Sequence, residues 1–217
     1  MPLAPSATVC DLARAGLDSV ALRVPSHPVA RKLLAAAGMP LAAPSANPSG
    51  RVSAVTAAHV REDFDGRIDA IIDGAVEVGV ESTIVSCLGE RPELLRPGGV
   101  PRKAIEATLG EKLTQASDGT IRAPGMLAAH YAPRARLRLN ATALEAGEAG
   151  LDFGGRFAPS AHVLDLSPAG DLTEAAAHLF GYLRGLDAHH AAIAVAPIPD
   201  EGLGEAINDR LRRAAVR

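Results

Sequence analysis

The sequence predicts an α/β protein built in two parts, and three observations carry that reading. Short apolar runs alternate with polar residues at the period of a strand, as in Val20, Leu22 and Val24. Between such runs lie stretches with apolar residues at helical spacing, clearest at positions 172, 175, 176, 179, 183 and 186. From 111 to 122 the pattern turns polar and aperiodic, and 123–133 adds two prolines and a glycine. The chain therefore divides into 1–110, a linker over 111–133, and 134–217.

The first part opens with an expected strand over 17–24. Ser26 is placed to cap a helix whose first turn holds Pro28, where a missing N–H is harmless, and Gly38 supplies the exit. Strands are expected over 40–43, 68–72 and 82–87, with a helix from Thr56 to Gly66 between the first two. A tight connection at 89–92 leads to 93–96 as the hairpin partner of 82–87, and a helix follows Pro101. In the second part, strands are expected over 135–139, 162–166 and 191–196. One helix starts at Asp171, whose spacing to Glu174 has the capping-box form, and the last begins near Leu203.

Composition narrows the function. A content of 47% hydrophobic and 22% charged residues is that of a folded globular chain, while 3% aromatic residues and no Trp leave little surface for stacking bases. A formal charge of -3 sets up no general attraction for phosphate, so RNA binding would need a local basic patch, and no basic run stands out. Cys10 and Cys87 are isolated, which fits a reducing cytoplasm and neither a zinc nor a redox pair. The start lacks the form of a secretory signal and no run approaches the ~20 apolar residues of a membrane span, so a cytoplasmic protein with no membrane partner is expected. His27, His59, His178, His189 and His190 show no repeated ligand spacing and read as surface or satisfied structural residues.

Three segments could carry chemistry. In Pro44-Ser-Ala-Asn-Pro-Ser-Gly50, two prolines fix the backbone while Ser45, Asn47 and Ser49 offer small donors and acceptors after an expected strand; the same residues also make an ordinary rigid turn. Gly79-Val-Glu-Ser-Thr83 is a polar step into a strand. Downstream, Arg96 stands beside Gly98 and Gly99, where a backbone and a guanidinium could share a phosphate, or where Arg96 is simply a surface cation. Arg23 interrupts an apolar strand, so it either faces an anion such as a ligand carboxylate or lies on a solvated face.

These segments carry a resemblance. LDSVALRVPSHPVARKLL, PLAAPSANPSGRVSAVTAAHV, VGVESTIV and LLRPGGVPRKAIEATLG resemble the later half of a YrdC-type domain. APGMLAAHYAP resembles the linker of the two-domain threonylcarbamoyl-AMP synthases, and IAVAPIPDEGLGEAINDRLRRAA the end of their second domain. The fold implied is α/β: the C-terminal half of a YrdC-like twisted-sheet domain, followed by a small Rossmann-like α/β domain.

The activity implied is synthesis of threonylcarbamoyl-AMP from L-threonine, bicarbonate and ATP with Mg2+, delivered to downstream proteins that modify transfer RNA. By that resemblance Arg23, Ser45 and Ser82 hold threonine, with Arg23 on its carboxylate, and Ser19, Asn47, Ser53, Arg96, His130 and Tyr131 contact ATP. No covalent nucleophile and no metal-ligating side chain are implied; catalysis rests on positioning, phosphate neutralisation and exclusion of water. Two departures stand out. The family's Lys-x-Arg nucleotide motif has no match, so the chain is expected to lack the N-terminal half of its first domain and to be impaired. Leu127, Ala128 and Ala129 stand where some relatives carry a basic and aromatic pair. Rival readings are a double-stranded RNA-binding module and a non-catalytic remnant.

Overall fold

A computed structural model describes residues 2–3, 9–74, 76–116 and 121–216. The first part comprises β1 (Pro2–Leu3), α1 (Asp11–Arg14), β2 (Val20–Ala21), α2 (Pro28–Ala37), α3 (Ala57–Phe64), β3 (Ile84–Ser86), β4 (Glu93–Arg96), α4 (Arg102–Leu109) and β5 (Thr114–Gln115). The second comprises β6 (Arg136–Arg138), β7 (Ala149–Asp152), β8 (Val163–Asp165), α5 (Leu172–Asp187), β9 (Ala192–Val195) and α6 (Leu203–Ala214).

The second part is a four-stranded parallel sheet in the order β6-β9-β7-β8. Its helix α5 begins where Asp171 accepts hydrogen bonds from the amides of Thr173 and Glu174, and it buries Ala175, Ala176, Leu179, Phe180, Leu183 and Leu186. The expected capping box is half right. Glu174 does not return to Asp171; its carboxylate takes the Ser167 hydroxyl (2.5 Å), and Ser167 accepts from the Asp171 amide (2.8 Å).

The first part is built from smaller pieces. β3 and β4 form the expected antiparallel hairpin, β5 adds in parallel, and β1 pairs with β2. Residues 114–115 of the segment read as linker thus join a sheet, and 117–120 lie outside the described residues. Thr56 caps α3 through the amide of His59 (3.1 Å), and Gly38 ends α2 in the left-handed conformation as expected.

Four expectations fail. The strands over 40–43 and 68–72 do not form: Leu41, Ile68 and Ile72 are exposed, and extended backbone without a ladder partner is not a strand. The 17–24 strand shrinks to β2, with Leu22 and Val24 exposed. Ser26 is not the cap of α2; that position is His27, with no side-chain hydrogen bond.

The main core lies between α5, α6 and the parallel sheet, and it recruits Val52 and Val80 from the first part. Gly79 shows how tightly the parts meet: a Cβ there would sit 2.0 Å from the Ala176 carbonyl of α5.

Candidate functional site

Arg23 and Ser82, 59 positions apart in the chain, meet at the first part's surface, where Arg23 Nη1 lies 3.4 Å from Ser82 Oγ. Of the two readings left open for Arg23, the structure shows an exposed guanidinium. Ser19 is half-buried just before β2, and Ser45 is exposed in the 44–50 turn.

Asn47 serves both readings of that turn. Its Nδ2 donates to the carbonyls of Pro48 (2.9 Å) and Arg51 (3.2 Å), which closes the turn. Its Oδ1 is buried with no partner, an arrangement that costs free energy unless a ligand or water donates to it.

Ser53 is buried, and its hydroxyl donates to Glu81 Oε1 (2.7 Å) while Arg210 Nε of α6 holds Glu81 Oε2 (2.7 Å). Burial works to raise the Glu81 carboxyl, but the Arg210 guanidinium, the Ser53 hydrogen bond and nearby Arg96 together hold it below the ordinary carboxylate range. Arg96 is no surface cation. It is buried, and it donates from Nη2 to the Ser82 carbonyl (2.8 Å) and from Nη1 to the Pro124 carbonyl (3.0 Å). Burial, then Arg210, depress its pKa, while Tyr131 and Glu81 support its charge.

The linker lies folded against this cluster. The Ala132 amide donates to the Gly50 carbonyl (2.8 Å), tying the linker to the 44–50 turn, and the His130 amide donates to the Arg213 carbonyl of α6 (3.3 Å). Arg213 Nη1 reaches the carbonyls of Met126 (2.8 Å) and Leu127 (2.7 Å). Met126 packs on Ile84, Leu95 and Ala123, its flexible thioether side chain filling an apolar gap. Gly125 (φ 78°) allows the close approach: a Cβ there would lie 2.4 Å from the Tyr131 hydroxyl and 2.9 Å from Arg96 Nη1.

Tyr131 itself holds a left-handed backbone (φ 61°), rare for a bulky residue, and is 1% exposed, stacked on Phe180 with Arg210 over its ring at 5.0 Å. Burial pushes its phenol up. His130 is half-buried with Nδ1 unpartnered, and burial, against the pull of Glu81, lowers its pKa so that the ring is neutral at pH 7.

Sequence reasoning missed Glu81, Arg184, Arg210 and Arg213. A signal existed for Arg210: it falls three or four positions from buried Ala206, Ile207 and Ala214, and a charge on the apolar face of a helix demands a partner. Surface cavities of about 690 Å³, around Arg134 and His190, and 760 Å³, around Thr56 and His178, include none of the candidate residues. Arrangement of donors, rather than enclosed volume, marks this site.

Comparison with known proteins places the geometry. Residues 2–98 match the family described as Telomere recombination, and residues 100–216 the family described as Threonylcarbamoyl-AMP synthase, C-terminal domain. The threonylcarbamoyl-AMP synthase of Bacillus subtilis is 38% identical over 93% of this chain and 64% of its own length; that of Pyrococcus abyssi is 39% identical over 92% and 65%. The crystal structure of P. abyssi Sua5 complexed with L-threonine superposes with a TM-score of 0.89 at 35% identity, over 99% of this chain and 69% of that one. The chain thus spans a little under two thirds of the length of those two relatives. The expectation that half of the first domain is absent finds no support in a domain match that begins at residue 2.

Proposed function

The chain belongs to the threonylcarbamoyl-AMP synthase family, and from that premise we propose that it joins L-threonine, bicarbonate and ATP into threonylcarbamoyl-AMP with release of pyrophosphate. The observation that carries the reading is the convergence of Arg23 and Ser82 beside a linker tied to the 44–50 turn, with the Asn47 carbonyl oxygen buried and unpartnered. The relative from P. abyssi whose fold this chain shares was crystallised with L-threonine.

In this proposal the exposed Arg23 guanidinium takes the threonine carboxylate, with Ser82 and Ser45 on its polar groups. The threonine amine captures bicarbonate as a carbamate with loss of water, and a carbamate oxygen attacks the α-phosphorus of ATP, expelling pyrophosphate. Asn47, Ser53 and Ser19 meet the nucleotide. Arg96 supplies buried positive charge and holds Pro124, Tyr131 fixes the linker, and His130, whose Nδ1 is buried without a partner, meets the nucleotide. None of these groups becomes covalently bonded; they position reactants and exclude water from a labile carbamate.

Magnesium fits as a companion of ATP rather than as a protein-held ion. Glu81, the carboxylate that Ser53 hydrogen-bonds, is already occupied by Ser53 and Arg210, so the ion would ride on nucleotide phosphates and water and offset their charge. The cytoplasm and delivery to transfer RNA-modifying proteins belong to the same proposal.

The test is pyrophosphate release from magnesium ATP with threonine and bicarbonate supplied separately and together. Release is expected only with both; release indifferent to threonine defeats the reading.

A further inference from the structure

No step above uses the Arg210–Glu81 pair, yet among the described residues it is the most buried charge contact joining the two parts. Arg210 is 1% exposed and spends its fork in three directions: Nε on Glu81 (2.7 Å), Nη1 on Asp209 (2.6 Å) and Nη2 on the Pro97 carbonyl (3.1 Å). Its guanidinium also covers the Tyr131 ring. Three residues on, Arg213 holds the carbonyls of Met126 and Leu127 and accepts the His130 amide. One face of α6 therefore reaches the 81–82 step, the loop after β4 and the linker together.

A buried ion pair is a weak source of net stability, because desolvation offsets its attraction. What it does fix is geometry and local charge. Glu81 lies within one residue of Ser82 and hydrogen-bonds Ser53, so its negative charge stands at the edge of a site meant for a polyanion. With Arg210 in place the pair is neutral as a unit. Without Arg210 the carboxylate would repel phosphates at short range through poorly screened protein.

We propose that Arg210 is a positioning residue: it neutralises Glu81 and seats Tyr131, so that α6 of the second domain sets where the linker lies over the nucleotide. The inference rests on the proposed function for the identity of the polyanion, while the seating of Tyr131 can be read without any ligand. Mere interdomain cement predicts something else, namely that loss of either partner weakens everything in the same direction.

The experiment uses the whole chain carrying Tyr182→Phe, which leaves Tyr131 as the sole tyrosine in a protein without Trp. Into it go Arg210→Met, Glu81→Gln and the double variant. Affinity for magnesium ATP is measured by calorimetry, and acrylamide quenching of Tyr131 emission without nucleotide.

Arg210→Met should bind ATP about tenfold more weakly, Glu81→Gln equally or more tightly, and the double variant within about threefold of the parent, since one charge is removed with its partner. Tyr131 should become more quenchable in Arg210→Met and partly recover in the double. Parallel weakening of ATP binding in both single variants, deepening in the double, overturns the proposal in favour of cement. If the parent binds no ATP, the functional reading falls and quenching decides alone: unchanged protection of Tyr131 in Arg210→Met overturns the positioning role. If Arg210→Met does not fold, Arg210→Lys replaces it. That variant keeps the charge and loses the fork, so Tyr131 quenching should rise and ATP affinity should fall about threefold through the displaced linker; unchanged Tyr131 quenching overturns the proposal.

Discussion

The second part of this protein carries its own core, whereas the first borrows much of its order from it. Among the described residues, α5 and α6 each bury six positions, while α2, α3 and α4 bury none. Apart from Val52 and Val80, which join the second part's core, the buried apolar residues of the first part are Leu94 and the pair Ile84 and Leu95, which cluster with Ala123 of the linker. Polar ties do the rest. Arg184 of α5 holds the carbonyls of Val52 (2.8 Å) and Ser53 (3.3 Å) and pairs with Asp63, and Arg102 of α4 pairs with Glu205 of α6 (2.6 Å). A site needs accessible surface and a fixed shape, and here the accessible surface lies on one part while the other fixes the shape.

The strongest way to break this comparison is to cut the same side chain in both parts. Leu179 is wholly buried and Leu33 is 45% exposed. Leu179→Ala should cost about 3 kcal/mol, and Leu33→Ala about 0.5 kcal/mol. Denaturant melts of both variants check this; equal losses would mean that the first part has a core of comparable worth.

A smaller effect sharpens it. Arg184→Ala strands Asp63 and the Val52 and Ser53 carbonyls, at a cost of about 2 kcal/mol. Because the loss falls on the segment that carries Ser53, ATP affinity should drop although Arg184 has no role in binding. Loss of stability with ATP affinity intact would sever the proposed dependence of the site on the second part.

Legibility in the sequence followed the same division. Local signals sufficed where structure is local: the cap at Asp171, the exit at Gly38, the helix start near Thr56 and the hairpin of β3 and β4 were all readable. The strand β7 was not, since Ala149-Gly-Leu-Asp152 has neither alternation nor β-branched residues and is held only by parallel neighbours on both sides. For the site, Arg23 stood out as a charge inside an apolar strand, while Asn47 and Ser82 were visible only as polar residues of a turn and of a polar step, and drew ligand roles from the resemblance. Glu81 and Arg210 stayed hidden because each is explained by the other, 129 positions away.

The subtlest expected effect is a pH dependence of linker docking. His130 titrates below its ordinary value of 6.5 in the folded chain, mainly through burial; Glu81 pulls the other way, while Arg210, Arg96 and Arg213 add to the lowering. An unfolded or undocked His130 takes a proton as pH falls through 6.5, while the docked ring resists until lower pH. The undocked state therefore binds more protons in that window, and docking weakens as pH falls from 6.5 towards the folded value, remaining flat above it. Glu81 acts lower down: its folded pKa lies under 4.5, so its contribution holds above that value and is lost as pH falls through the folded one. His59 shares the direction of His130, through burial and Arg184, and lies in the first part away from the linker. His130→Gln separates them. Between pH 7 and 5 the parent should show rising acrylamide quenching of Tyr131, and His130→Gln a flatter profile, while the slope of thermal stability contributed by His59 persists in both. A quenching profile unchanged by His130→Gln would place the linker's pH response in the first part rather than at its junction with α6.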